Sequence, residues 1–266
     1  MSREIGIFYL LLFKYNIVMY PYIFSFIDSY VLMIAIGIFV AFALVVIYFR
    51  HRQFSKRDVI DALICASFAV AFGVLFALLF QALYDLKWQW KLTFFGGLIG
   101  GVFGYLLTYY LFVKKESTMR IDEVVIVAPL AITAAHAFGR IGCFLDGCCY
   151  GKETGTVFDL YFPALGRSVL PTQLYEAIFL FILTNVLFIL IFKFKFKYTF
   201  IVYLSSYSIW RFVIEFFRDD PRGGFIPFIS PSQFWCIIIW IMIIPLYIFL
   251  KKKVFVENKN EQEQND

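Results

Sequence analysis

Apolar runs recur along this 266-residue chain, and each is close to the roughly 20 residues that an α-helix needs to cross a bilayer. Hydrophobic residues make up 62% of the chain and charged residues only 16%, with a mean hydropathy of +0.79. A water-soluble domain of this size would need more polar surface, so the sequence predicts an all-α integral membrane protein. We predict seven spans, at residues 30–49, 59–82, 94–113, 123–141, 171–192, 198–217 and 234–250.

Lys and Arg are unevenly distributed among the connections between these spans. The connections after spans one, three, five and seven are the richer ones. Because short loops rich in Lys and Arg stay cytoplasmic, we expect the N-terminus outside and the C-terminus in the cytoplasm. Residues 142–170 and 218–233 then face the outside, the former as a small extracytoplasmic arm with short strands or irregular structure. The net charge of +5 reflects topology and anionic bilayer lipid, and it predicts no nucleic-acid partner.

The two ends of the chain carry separate predictions. The first 27 residues are apolar and aromatic, but they contain Lys14 and lack a small-residue cleavage site. An interfacial segment is therefore favoured over a cleaved signal peptide, and a further span is the alternative. We interpret residues 1–255 as one polytopic membrane domain and residues 256–266 as a disordered cytoplasmic tail.

Ionisable residues inside the sixth span mark a candidate site, because each costs at least about 2.5–3.5 kcal/mol at membrane depth. Tyr207, Arg211, Glu215 and Arg218 share one face of that helix. An Arg211–Glu215 pair would satisfy itself locally and leave Tyr207 and Arg218 to address another group. The alternative is a structural ion pair that locks the bundle.

Other spans carry weaker signals of the same kind. The fifth span opens with Pro171, Gln173, Tyr175 and Glu176, which either belong to a site or cap the helix. The glycines of the third span permit close approach by a lipid or, more commonly, by a neighbouring helix. Arg140 ends the fourth span, and with Arg211 it suits a phosphate-bearing lipid headgroup, because guanidinium groups bind phosphate oxygens in pairs.

Four blocks of the chain resemble, in order, the motifs of the prolipoprotein diacylglyceryl transferase family. The blocks are Phe95–Gly100 (FGGLIG), Gly139–Gly151 (GRIGCFLDGCCYG), Pro171–Glu176 (PTQLYE) and Tyr207–Arg218 (YSIWRFVIEFFR). Ser230–Gln233 also resembles the start of the family's last span, with Ser232 in place of a glycine. The resemblance covers about residues 28–250 and implies the same seven-span, N-out fold.

The resemblance implies a multi-pass enzyme of the bacterial inner (plasma) membrane. It would transfer the diacylglyceryl group of phosphatidylglycerol to the lipobox cysteine of exported preprolipoproteins, forming a thioether and releasing glycerol phosphate, with no metal or nucleotide cofactor. By position, Arg140 and Arg211 become catalytic clamps on the lipid phosphate. The implied substrate-binding residues are Tyr30, Gly96, Gly97, Gly139, Asp146, Gln173, Tyr175, Glu176, Tyr207, Glu215 and Arg218.

Several positions depart from the family pattern. Histidines are replaced by Phe95 and Leu170, asparagines by Cys143 and Asp146, and a glutamate by Cys148. A proton acceptor assigned to the first histidine would be missing. His136, four residues before Arg140 and on the same helical face, is our candidate catalytic base, with a structural histidine as the alternative. Asp28 is a further ionisable candidate.

The cysteines Cys143, Cys148 and Cys149 lie on the expected outer side and leave three interpretations open. They pack as ordinary side chains, or Cys143 forms a disulfide with Cys148 or Cys149 in an oxidising exterior. Metal binding is the third, but Cys-x4-Cys-Cys lacks the usual Cys-x2-Cys spacing and a second ligand cluster, so we predict no metal site.

Two classes of function remain from the sequence alone. The first is the family enzyme, or a paralogue that uses the same lipid donor on another acceptor. The second is a non-catalytic protein that binds or transports phospholipid. Retention of Arg140, Arg211 and Glu215 favours the enzyme.

Overall fold

The computed structural model describes residues 22–23, 27–85, 94–115, 117–219 and 229–254. Within these ranges seven helices are long and apolar enough to cross a membrane, which confirms the predicted class and number of spans. Their bounds are α1 Ser29–His51, α2 Lys56–Asp85, α3 Phe94–Thr108, α4 Ile121–Asp146, α5 Thr172–Phe192, α6 Thr199–Ile214 and α7 Pro231–Phe249.

Three of the helices continue into short turns of different pitch. A π-helical turn, Tyr109–Val113, extends α3; a 3₁₀ turn, Glu215–Phe217, extends α6; and a second π-helical turn, Leu250–Val254, extends α7. The last helix begins with a capping box, in which the Ser230 hydroxyl accepts from the Gln233 amide and the Gln233 side chain accepts from the Ser230 amide.

The fourth span is longer than predicted. Hydropathy places its end near residue 141, and residues 142–170 were expected to be outside the membrane; instead, α4 continues to Asp146. It ends in a Schellman motif, because Gly147 adopts a φ of 75° and the Cys148 amide donates to the Cys143 carbonyl oxygen at 3.1 Å. Cys143 is therefore helical rather than part of a loop.

Two small antiparallel hairpins accompany the helices. β1 (Tyr22–Ile23) pairs with β2 (Ile27–Asp28), and β3 (Leu160–Phe162) pairs with β4 (Arg167–Val169). The second hairpin confirms the short strands expected between residues 142 and 170. Its Phe162 and Val169 are buried, and the Phe162 ring packs edge-on against Phe144 of α4 at 5.9 Å, which anchors the hairpin to the end of that helix.

The chain divides into two compact units. One contains the residues up to Ala41 and those from Val125 onwards, and the other is Phe42–Val124. The single-domain interpretation of residues 1–255 stays a prediction. The predicted disordered tail, and nearly all of the predicted interfacial N-terminal segment, lie outside the described residues.

The glycines of α3 serve helix packing within the Phe42–Val124 unit. A Cβ atom built on Gly104 would lie 2.7 Å from Phe72 Cβ and 2.8 Å from the Phe68 carbonyl oxygen. Gly73 of α2 faces Gly97 of α3 in the same way, with a built Cβ 3.2 Å from the Gly97 carbonyl oxygen. Backbones approach this closely only where side chains are absent. The packing interpretation of these glycines is therefore correct.

Hydrogen bonds and an ion pair also connect segments within the Phe42–Val124 unit. Asp58, at the start of α2, accepts hydrogen bonds from the Ser117 hydroxyl at 2.6 Å and from the Thr118 amide at 2.9 Å. Glu123 pairs with Arg52 at 2.7 Å and accepts a hydrogen bond from the Tyr48 hydroxyl. These contacts join α2 and α4 to neighbouring segments and satisfy two buried carboxylates.

Candidate active site

A buried carboxylate, Glu176, lies at the centre of a polar cluster in the unit that includes α4–α7. Its exposed fraction is 0%. Arg140 Nη2 is 2.9 Å from its Oε1 atom, Arg211 Nη1 is 3.6 Å from its Oε2 atom, and the Tyr207 hydroxyl donates to Oε1 at 2.8 Å. The Nε2 atom of His136 lies 3.9 Å from the same Oε1 atom. Two cations thus share one buried anion.

Three helices supply these side chains, and helical spacing explains which residues each contributes. His136 and Arg140 lie four residues apart on α4, and Tyr207 and Arg211 lie four apart on α6, so each pair shares a helix face. Glu176 comes from the second turn of α5. Its contacts are with other helices, so the helix-capping interpretation does not account for it.

Arg211 contacts three polar side chains. Its Nη2 atom lies 2.8 Å from Glu215 Oε2 and donates to the Ser232 hydroxyl at 2.9 Å, while Nη1 faces Glu176. The predicted Arg211–Glu215 pair is confirmed. As expected, Tyr207 is left to address another group, and that group is Glu176. Ser232 was missed as a contributor, although its departure from the family's glycine was a visible signal.

Arg140 keeps unused hydrogen-bonding capacity. Its side chain is 13% exposed, and its Nε atom is buried without a hydrogen-bond partner among the described residues. The Oε1 atom of Gln173, a residue that is 1% exposed, is also buried without a hydrogen-bond partner among the described residues. A guanidinium group offers five donors in a planar fork that matches phosphate oxygens. Arg140 is therefore suited to receive an anionic group in addition to Glu176.

His136 belongs to the same cluster. Its ring packs edge-on against Tyr207 with 5.2 Å between centroids, and its Nε2 atom faces Glu176. The imidazole is thus beside both the carboxylate and, one helical turn away, Arg140. This position agrees with the helical face predicted from the spacing.

The segment after α4 brings three thiols together. The Sγ atoms of Cys143, Cys148 and Cys149 lie within 4.8 Å of one another, and all three cysteines are free. Hydrogen bonds from the Cys143 and Cys148 thiols, together with the charges of Arg218 and Arg140, lower the pKa of Cys149. The sequence spacing did not predict that all three thiols would converge.

Tyr30 and Asp28 lie at the start of α1. A Cβ atom built on Gly142 would be 3.0 Å from Tyr30 Cδ2, so that glycine lets Tyr30 pack against α4. The Asp28 carboxylate accepts from the amides of Tyr30 and Val31 at 2.8 and 3.2 Å. Asp28 therefore caps the helix, which explains the residue without a catalytic role.

The other predicted site residues have separate surroundings. Gly96 and Gly97 lie on α3, where Gly97 packs toward Gly73. Asp146 is exposed at the end of α4, and the Tyr175 hydroxyl donates to the Phe158 carbonyl oxygen at 3.2 Å. Arg218 is buried and pairs through its backbone with Gly151. A Cβ atom on Gly139 would meet nothing within 4 Å.

The fold and this cluster define a polytopic helical membrane protein with paired arginines and glutamates inside the bundle. The sequence profile of the prolipoprotein diacylglyceryl transferases matches residues 21–249. The chain belongs to that family, as the four motif blocks predicted.

Individual relatives are similar over about half of their length. The phosphatidylglycerol–prolipoprotein diacylglyceryl transferase 2 of Clostridium perfringens is 44% identical over 46% of this chain and 50% of its own. The Clostridium tetani transferase is 36% identical over 54% of this chain and 58% of its own. The Campylobacter jejuni transferase is 35% identical over 56% of this chain and 55% of its own. The chain thus spans a little over half the length of the curated relatives that it matches.

The seven membrane-length helices and the bacterial relatives agree on a location. The protein is a multi-pass protein of the bacterial inner (plasma) membrane.

Proposed function

We propose that this protein transfers the diacylglyceryl group of phosphatidylglycerol to the lipobox cysteine thiol of exported preprolipoproteins. The products are a thioether-linked lipoprotein precursor and glycerol phosphate. The observation that carries the proposal is Arg140: it lies in the last two turns of α4 beside Glu176, and its buried Nε atom has no hydrogen-bond partner in the described part of the chain. Family membership supplies the substrate class.

The chemistry requires a sulfur nucleophile and a phosphate leaving group. The acceptor thiol has an ordinary pKa of about 8.5 and is mostly protonated at neutral pH, so a base must take its proton. We assign that role to His136, whose Nε2 atom is 3.9 Å from Glu176. The thiolate sulfur then bonds to the glycerol carbon while the carbon–oxygen bond to phosphate breaks and the phosphate keeps the electron pair.

Arginine donors stabilise this departure because charge builds on the phosphate oxygens as the bond breaks. Arg140 pairs with one carboxylate among the described residues, whereas Arg211 contacts Glu176, Glu215 and Ser232. Each arginine keeps one buried nitrogen without a hydrogen-bond partner there, Nε of Arg140 and Nη1 of Arg211. Arg140 is therefore the principal phosphate clamp, and Arg211 supports it by sharing Glu176. Tyr207 fixes the Glu176 carboxylate between them.

The expected N-out orientation brings the site to the substrates. In that topology the start of α1, the end of α4, the start of α5, the end of α6 and the start of α7 all lie at the outer membrane face. These are the helix ends that carry Tyr30, Arg140, Glu176, Arg211 and Ser232. Preprolipoproteins emerge at that face, so donor lipid and acceptor would meet there.

Complementation tests the proposal. The chain is expressed in a bacterial strain depleted of its own transferase, together with a reporter lipoprotein. We expect growth and a lipidated reporter. If the protein accumulates in the membrane but neither growth nor lipidation recovers, the transfer function is wrong, and a lipid-binding role or another acceptor takes its place.

A further inference from the structure

The three thiols at and just beyond the end of α4 form a compact group that the transfer chemistry does not use. The Sγ atoms of Cys143, Cys148 and Cys149 all lie within 4.8 Å of one another. None of the three is joined in a disulfide, and each is partly buried. Such a set of soft donors has the composition of a metal site, so its geometry can be compared with what a metal ion requires.

The end of α4 produces the convergence. In the Schellman motif around Gly147, Cys143 is the third residue from the helix end and Cys148 is the second residue beyond it, and side chains at these two positions contact each other. Cys149 then adopts a φ of 65°, a left-handed conformation that turns the chain sharply and keeps its thiol near the other two.

The first residues of α5 hold this turn in place. The Thr172 hydroxyl donates to the Cys149 carbonyl oxygen at 2.9 Å, and the Gln173 side-chain amide donates to the Cys148 carbonyl oxygen. Gln173 is 1% exposed and Thr172 also 1%, so these anchors are rigid parts of the core. The thiols are therefore pre-organised by buried hydrogen bonds rather than carried on an unsupported loop.

The geometry fits a shared ion better than a disulfide. A zinc ion bound about 2.3 Å from each sulfur keeps three sulfurs about 4 Å apart, which lies within the spread observed here. A disulfide brings only two sulfurs together, at about 2.05 Å, and leaves the third thiol unused. All three Sγ atoms lie within 4.8 Å of one another, so a single ion can reach all of them.

Two arginines near the three cysteines supply positive charge that would compensate their thiolates in a metal-bound form. Arg140 lies one helical turn before Cys143 on α4. Arg218 is buried, and its backbone pairs with Gly151, two residues after Cys149. The charges of both arginines act on Cys149, and they reduce the cost of collecting three negative sulfurs around a divalent cation.

We propose that Cys143, Cys148 and Cys149 form a three-thiolate binding site for Zn²⁺. Each thiol releases a proton to solvent as its sulfur–zinc bond forms, and a fourth position remains for water or another ligand. The ion would tie the last turn of α4 to the segment that leads to the β3–β4 hairpin, next to Arg140. The proposal depends on the thiol geometry and not on the transfer reaction, so it stands or falls separately.

Metal analysis of the purified full-length protein tests it. The protein is produced with a tag that contains no histidine, exchanged into detergent with excess Zn²⁺ and a reductant, and freed of unbound metal. We expect about one zinc ion per chain, and less than about a tenth of that in Cys143→Ser and Cys149→Ser. Cys65→Ser, which removes a buried cysteine in the Phe42–Val124 unit, is the matched control and should keep its zinc.

A measurement on the unmodified protein removes any dependence on how the variants fold. Replacement of zinc by Co²⁺ should give sulfur-to-cobalt charge-transfer absorption with an intensity typical of three thiolates. Wild-type protein that binds no zinc under reducing conditions, or a cobalt complex without charge-transfer absorption, overturns the proposal. So does a Cys143–Cys148 or Cys143–Cys149 disulfide that, once reduced, yields thiols with no zinc affinity.

Discussion

At the scale of single residues, the protein places opposite charges in a low-dielectric interior and compensates them locally. Glu176 forms ion pairs with Arg140 and Arg211 and accepts a hydrogen bond from Tyr207. Arg211 also contacts Glu215 and Ser232. An uncompensated charge at this depth would be costly, whereas a paired and hydrogen-bonded one is tolerated. Arg140 differs from Arg211 because it pairs with one carboxylate in the described part of the chain, whereas Arg211 contacts two carboxylates and Ser232.

The first prediction concerns the buried Nε donor of Arg140. We expect Arg140→Ala to lower lipidation of a reporter lipoprotein by at least about 100-fold, because a donor aimed at the leaving phosphate is lost. The measurement is the initial rate of transfer from labelled phosphatidylglycerol in membranes with matched protein levels.

Arg57→Ala is the control for this experiment. Arg57 is 61% exposed and lies 4.0 Å from Asp61, a surface pair worth little. The Arg57→Ala variant should lipidate the reporter at the wild-type rate. An Arg140→Ala rate equal to that of the control would remove Arg140 from the phosphate-clamp role.

The second prediction concerns the shared anion. Glu176→Gln leaves two buried arginines without their common carboxylate, so we expect destabilisation of about 3–5 kcal/mol. Thermal unfolding of the detergent-solubilised protein should show a clearly lower midpoint. Glu153→Gln changes an exposed glutamate 3.8 Å from Arg167 and should leave the midpoint unchanged. Equal midpoints for the two variants would contradict the central place of Glu176.

At the scale of secondary-structure elements, glycines have two different structural roles. Gly147 ends α4 through its positive φ, which sets the position of the following cysteines. The glycines of α3 instead let its backbone approach α2. The same residue type thus serves chain reversal in one place and helix contact in the other.

The third prediction tests the contact role. Gly104→Ala places a methyl group 2.7 Å from Phe72 Cβ and 2.8 Å from the Phe68 carbonyl oxygen, so the helices must separate. We expect a loss of about 1–3 kcal/mol in stability. In Gly101→Ala the new methyl group would lie 3.5 Å from the Ala69 carbonyl oxygen, an ordinary contact, and helix propensity favours alanine. Its unfolding midpoint should equal or exceed that of the wild type, and the reverse order of the two variants would refute the packing argument.

At the scale of the whole molecule, function depends on the orientation of seven spans. The distribution of Lys and Arg predicts that the N-terminus is outside. With this orientation, the Arg140–Glu176–Arg211 cluster and the β3–β4 hairpin belong to the outer half of the membrane and the space beyond it. The opposite orientation would place the cluster on the cytoplasmic side, away from exported acceptors.

The fourth prediction tests the orientation directly. Alkaline phosphatase, which becomes active only outside the cytoplasm, should be active when fused after residue 155, between α4 and β3. Green fluorescent protein should fluoresce when fused after residue 195, between α5 and α6. Exchanging the two reporters between these sites should abolish both signals. Active phosphatase after residue 195 with inactive phosphatase after residue 155 would reverse the topology.

The sequence by itself determined the spans and the helix faces. Hydropathy is a property of consecutive residues, so α1–α7 follow from it with ends displaced by a few residues. Spacings of four residues likewise placed His136 with Arg140 and Tyr207 with Arg211 on common faces. The Arg211–Glu215 pair was predictable because both partners lie on one helix.

Only the tertiary structure decided which groups meet across helices. Nothing within α5 indicates that Glu176 receives the arginines of α4 and α6, or that Ser232 of α7 reaches Arg211. Such contacts depend on the rotation and depth of each helix in the bundle, which packing sets and hydropathy does not record. The convergence of the three thiols has the same origin: the αL conformation at Gly147 and the hydrogen bonds from α5 fold a spacing of four intervening residues into a single cluster.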